Sequence, residues 1–148
     1  MIEQFSKSDF VQLKDLVTTA VINCIDAEEK DLNFIISDVL QSSEKWLEDK
    51  QSGVHLVYKV NNSIKGMVLI KDYWNLSSLF VKPSIQRQGI ATQLLNHAIK
   101  ICTTKSSKKV IKLNSSEFAS EFYVKYGFKQ VGKSRNLPGG CIPYEYNL

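Results

Sequence analysis

The sequence predicts an α/β (α+β) domain on a mixed, mostly antiparallel sheet of about seven strands. Three observations carry this. Residues 54–81 hold three strand-like segments separated only by short turn sequences, which makes an antiparallel meander. Residues 90–101 repeat apolar side chains at helical spacing between two strand-like segments, so the second of those strands runs parallel to its neighbour. Two earlier segments, ending before residue 48, show the same helical period.

In chain order, residues 2–5 read as a short first strand. Ser6, Ser8 or Asp9 can cap the next helix, in which Phe10, Leu13, Leu16, Val17, Ala20 and Val21 form one apolar stripe facing a core. Residues 26–31 are a charged connection. Leu32, Ile35, Ile36, Val39 and Leu40 mark a second helix, with a further turn at Trp46-Leu47. Residues 54–60 alternate like a strand, Asn61-Asn62-Ser63 has turn chemistry, and residues 64–70 are the hairpin partner. Asp72-Tyr73 leads into a strand over residues 74–81, which Pro83 ends because proline cannot donate to a ladder. Ile90, Leu94, Leu95, Ala98 and Ile101 form the crossover helix, and a basic linker at 103–109 leads to a short strand at 110–113. Ser115 or Ser116 caps a helix with Phe118, Phe122 and Tyr126 on one face, ended by Gly127. Residues 128–131 and 142–146 pair as a last hairpin around Leu137-Pro138-Gly139-Gly140.

The 148 residues are expected to form one domain, 1–148, large enough to bury roughly two thirds of the unfolded surface. No basic segment followed by an apolar one opens the chain, and no apolar run reaches membrane-spanning length. The expectation is a cytoplasmic protein without a membrane role. Cys24, Cys102 and Cys141 are far apart and odd in number, which suits neither a disulfide framework nor a zinc cluster, so reduced thiols are the default. With only His55 and His97 and no H-E-x-x-H spacing, no metal site is expected. A net charge of +4 with no basic stripe interleaved with aromatics does not point to nucleic acid. The charge is uneven, however: residues 1–60 carry 6 Lys/Arg against 11 Asp/Glu, and residues 61–148 carry 13 against 4.

The basic half contains the most informative stretch, L-F-V-K-P-S-I-Q-R-Q-G-I-A-T-Q-L-L at residues 79–95. Gly89 and Ala91 fall in the first turn of the crossover helix, where backbone N–H groups lack intrahelical partners and the dipole is positive. Glycine lets a phosphate approach the backbone, alanine keeps the way clear, and Arg87 can add a charge-assisted contact. A loop with proline and glycine also starts many ordinary helices, so the flank decides. The stretch closely resembles the acyl-coenzyme A loop of the GNAT superfamily of N-acyltransferases, whose pattern of Gln or Arg, two residues, Gly, one residue, Gly or Ala is filled by Gln86, Gly89 and Ala91. N-S-S-E-F-A-S-E-F-Y-V-K-Y-G-F at 114–128 resembles a second segment of that family. The resemblance covers residues 63–146 well and the first 60 by element order alone.

The resemblance implies a single GNAT-type domain with helices on both faces of the sheet. It implies that acetyl-CoA is the cosubstrate, its pyrophosphate on the loop formed by Gln86, Arg87, Gln88, Gly89, Ile90, Ala91 and Thr92. Its pantetheine arm would pair with the main chain at Leu79, Phe80 and Val81 and reach Asn114, with an N–H near Phe80 or Val81 as oxyanion donor. Tyr123 matches the family tyrosine that faces the coenzyme sulfur as general acid, and a phenol is protonated at neutral pH. Neither residues 74–81 nor 110–114 contain a carboxylate, and Ile111 stands where relatives can have Glu, so no base is named. The resulting expectation is transfer of acetyl to a primary amine of a small molecule by a monomer or homodimer. A protein or peptide N-acetyltransferase, or a non-catalytic acyl-CoA sensor, are the alternatives.

Overall fold

The computed structural model describes residues 1–148. Its elements run β1 (Ile2–Gln4), α1 (Phe10–Cys24), α2 (Glu29–Glu48), β2 (Gly53–Val60), β3 (Ser63–Lys71), β4 (Asn75–Val81), α3 (Ile90–Lys105), β5 (Val110–Ser115), α4 (Glu117–Tyr126), β6 (Lys129–Gln130) and β7 (Ile142–Asn147). The seven strands form one sheet in the order β1-β2-β3-β4-β5-β7-β6, antiparallel except for β4 against β5.

Alternation along β3 explains the layering. Val68 and Ile70 face a core built with Leu94, Leu95, Ala98 and Cys102 of α3. Met67 and Leu69 face the opposite core, built with Leu13, Leu16, Val17 and Val21 of α1 and Val39 and Trp46 of α2. Apolar side chains on both faces make a central strand covered by helices on each side.

The turns follow their chemistry. Asn61 and Asn62 take φ of 51° and 63°, the left-handed pair that a two-residue hairpin demands. Asp72 and Tyr73 repeat that conformation at 54° and 62°, so β4 begins at Asn75 and Trp74 belongs to the turn. A tyrosine there is held from outside: its hydroxyl donates to the Gln51 oxygen at 2.9 Å, and Lys105 stands 5.5 Å above the ring. Before α1, the Ser6 N–H donates to the Asp9 carboxylate at 3.0 Å. Buried Asp9 also pairs with Lys59 at 2.7 Å, which reaches Glu3 at 2.6 Å.

Two further expectations change. Trp46-Leu47 is no separate turn, because α2 continues unbroken to Glu48. The closing hairpin is shorter than its sequence suggests: β6 has two residues, and β7 pairs along its whole length with β5, lying between β5 and β6. The six-residue ladder to β5 offers more backbone hydrogen bonds than β6 can, and the chain between β6 and β7 adds only the Val131–Pro143 hydrogen bond and the Arg135–Cys141 bridge to the hairpin.

Candidate active site

β4 and β5 are neighbours only at Asn75 and Lys112, where the Lys112 N–H donates to the Trp74 oxygen at 2.8 Å. Beyond that point they part, and one edge of β4 has no strand partner. Lys82 donates its N–H to Lys65 of the β3 side at 2.8 Å. Alternation therefore turns Phe80 toward β3 and leaves the main-chain groups of Leu79 and Val81 facing the opening. Of the two positions expected for an N–H donor, the ladder favours Val81.

The loop after β4 is built for close approach. Arg87 and Gly89 take φ of 65° and 83°, and Gly89 is the N-cap of α3, with no side chain capping the helix. The first bond along the helix runs from the Gln93 N–H to the Gly89 oxygen at 3.0 Å, so the N–H groups of Ile90, Ala91 and Thr92 lack partners within the helix. No acidic residue stands in that first turn to quench the positive end. A Cβ on Gly89 would meet nothing nearer than the Gln93 side chain at 4.0 Å, so space before the helix is open.

These pieces enclose one cavity of about 440 Å³ between β4, the start of α3, α4 and the end of α1. Leu79, Phe80, Val81, Gln86, Arg87, Gly89, Ile90, Ala91, Thr92 and Tyr123 all line it. Gln88 and Asn114 do not. Gln88 is exposed on the loop, and Asn114 lies between buried Leu113 and Ser115, so strand alternation turns it to the other face. Ala20, Cys24 and Ile25 of α1 and its following link complete the wall, with Ser116, Phe118, Ala119 and Phe122 of α4. The apolar face of α4 was readable from the sequence. The α1 contribution was not, because nothing local to Cys24 says which strand end it reaches.

Tyr123 sits on the inner face of α4, its ring 5.3 Å from Phe122, 5.4 Å from Phe128 and 6.4 Å from Tyr144. Burial pushes its phenol well above the ordinary value, so it stays protonated. α4 starts with the Ser116 hydroxyl accepting the Ala119 N–H at 3.3 Å and ends at Gly127. Its far end is tied to α3 by the Tyr126 hydroxyl donating to Asn96 at 2.6 Å. Burial raises Tyr126 to about 12, with Tyr146 adding to the effect. The charged residues of the wall are Arg87, Glu121 and Lys125. Lys125 pairs with Glu121 at 3.0 Å and holds its carboxyl below the ordinary value, with a smaller contribution from Arg87.

A split sheet, an uncapped helix terminus aimed into the split and a buried phenol across from it define the architecture of an acyltransferase domain. Residues 22–144 match the family described as acetyltransferase (GNAT) domain, and the chain belongs to that family. It is 41% identical over 71 residues to an N-acetyltransferase of Staphylococcus epidermidis, itself uncharacterized, a match that spans 48% of this chain and 44% of that relative. Its fold is similar to a GCN5-related N-acetyltransferase from Rhodopseudomonas palustris, with a TM-score of 0.82 at 14% identity over 100% of this chain and 95% of that one. It is also similar to the PaiA N-acetyltransferase of Thermoplasma acidophilum in complex with coenzyme A, with a TM-score of 0.81 at 22% identity over 100% and 98%. At those identities the likeness is one of fold.

Proposed function

We propose that the protein transfers an acetyl group from acetyl-CoA to a primary amine of a small molecule. The observation that carries this is the meeting, in one cavity, of the uncapped N-terminus of α3, the unpaired edge of β4 and the buried hydroxyl-bearing ring of Tyr123. The thioester supplies an activated acyl group. The free N–H groups of Ile90, Ala91 and Thr92 receive phosphate oxygens, with Arg87 adding charge. Leu79 offers its main-chain groups to an extended amide arm, as an added strand would meet them. The Val81 N–H stabilises negative charge developing on the carbonyl oxygen, Tyr123 gives its proton to the departing thiolate, and the proton shed by the attacking nitrogen restores the phenol.

The one carboxylate of the wall, Glu121, is committed to Lys125, so the amine reacts in its neutral form. An alkylamine with pKa near 10.4 is then mostly unreactive at neutral pH, and kcat/KM rises with pH toward that value. Tyr123 remains protonated through this range. A small acceptor is favoured over a folded protein because the link after α1 and the loop before β7 touch beside the cavity, at Ile25 and Gly139.

The test is a panel of amines with acetyl-CoA, following release of free thiol. Thiol release that depends on the amine and rises with pH supports the reading. Coenzyme binding without amine-dependent release by any member makes the domain a sensor.

A further inference from the structure

We infer that Glu121 opposes coenzyme binding: a carboxylate set against the cations Arg87 and Lys125 of the cavity wall, it weakens their hold on the coenzyme's phosphates, and removing its charge tightens that hold. This rests on the coenzyme reading of the cavity given above.

Carboxylates are scarce on this side of the molecule. Residues 73–116, which supply β4, the loop, α3 and β5, contain no Asp or Glu. The first acid after them, Glu117, has its side chain against Gly140 and does not line the cavity. Glu121 does line it, as the one negative charge of a wall whose other charges are Arg87 and Lys125.

The position serves no helix terminus. Ser116 already caps α4 through the Ala119 N–H at 3.3 Å, and residue 121 lies in the middle of the ten-residue helix, away from its positive end. Glu121 Oε1 stands 3.0 Å from Lys125 Nζ, and Arg87 acts on the same carboxyl from the loop before α3. A phosphate arriving at the wall therefore meets cations already partly neutralised. The side chains of Lys125 and Glu121 are 72% and 73% exposed, so a phosphate can reach the ammonium without breaking the pair. An ammonium has three donors and can bridge carboxylate and phosphate, but the two anions then repel each other across it. CoA leaves with every phosphate that acetyl-CoA brought, so the same repulsion eases departure of the product.

The test is titration calorimetry of CoA, acetyl-CoA and dephospho-CoA on the wild type, Glu121→Gln and Lys125→Gln, at low and high salt. On the scale of an exposed ion pair, Glu121→Gln should lower Kd for CoA and acetyl-CoA about two- to fivefold at low salt, and Lys125→Gln should raise it by a similar factor. Added salt should shrink both effects. Glu before Lys at this spacing also supports a helix, and each variant deletes the same pair, so a purely helix-supporting role predicts like changes in the two. Opposite shifts in Kd carry the inference. A shift seen with CoA but not dephospho-CoA assigns the ribose phosphate as the group opposed, and equal shifts assign the diphosphate. A Kd that Glu121→Gln leaves unchanged or raises, or that moves the same way in both variants, overturns the inference and leaves the coenzyme reading standing. Absence of any CoA or acetyl-CoA binding by the wild type overturns both.

Discussion

The side-chain nitrogen of Gln86 lies 3.1 Å from the main-chain oxygen of Val81, folding the loop back onto the strand that precedes it. The same nitrogen donates to Cys24 Sγ at 3.4 Å. A carbonyl can only accept, so the amide nitrogen must face Val81. One side chain thus joins the end of α1, the end of β4 and the loop that starts α3.

Gln86→Ala should therefore weaken acetyl-CoA binding without removing any charge from the site. A lost hydrogen bond of this kind costs about 0.5–1.5 kcal/mol, or about two- to tenfold in Kd. Titration calorimetry with coenzyme A measures it, and an unchanged Kd would mean that the loop holds its shape without the bridge.

Gly89→Val should abolish the thermal stabilisation that acetyl-CoA gives, which for wild type at a hundredfold excess over Kd is about 2.7 kcal/mol. The added side chain enters open space before the helix, so the loss comes from blocking that space and from a φ of 83° unsuited to a β-branched residue. The apo protein should still melt cooperatively. Normal coenzyme binding by this variant would remove the loop from the coenzyme site.

Tyr123→Phe keeps the ring among Phe122, Phe128 and Tyr144 and deletes only the hydroxyl. Turnover should fall by about 10²- to 10⁴-fold with coenzyme binding retained. The readout is single-turnover kinetics, where chemistry limits; an unchanged rate returns Tyr123 to a packing role.

His55 makes stability sensitive to acid. Its ring is buried against Phe5 and Trp46, its Nδ1–H donates to the Val68 oxygen at 3.1 Å, and its Nε2 accepts from Ser43 at 2.8 Å. Burial lowers its pKa from 6.5 to about 3. The unfolded chain therefore takes up this proton first. Stability from the neutral ring is full above pH 6.5 and is lost as pH falls toward 3, by up to about 1.4 kcal/mol per pH unit. Urea unfolding at several pH values should show a shallower slope between pH 6.5 and 4.5 for His55→Gln, which cannot titrate. Identical slopes would mean that the wild-type ring does not stay neutral in the folded state.

Asp26 and Glu28 stand exposed on the link after α1, where they can attract a cationic amine, although carboxylates are also favoured at the start of α2. Neutralising both, as Asp26→Asn with Glu28→Gln, should raise KM for a cationic acceptor with a smaller effect on kcat. The difference should shrink with added salt, because such charges are screened within about 8 Å at physiological ionic strength. A KM that does not move at low salt would leave the pair only as negative charges near the start of α2.

The sequence by itself determined the element order, the anion-ready start of α3 and the inner face of α4. Each of these is a local property: Gly89 and Ala91 lie within one turn, and Phe118, Phe122 and Tyr126 recur at helical spacing. It could not show that β7 enters beside β5, that Asn114 turns away from the cavity, or that Gln86 reaches Cys24, 62 positions earlier. Strand order and register are settled by how many backbone bonds each pairing satisfies across the whole sheet, and side-chain direction follows from that register. The mouth of the cavity belongs to the same class: Ile25, Phe118 and Gly139 have no sequence relationship, and only the packing of α1, α4 and the loop before β7 brings them together.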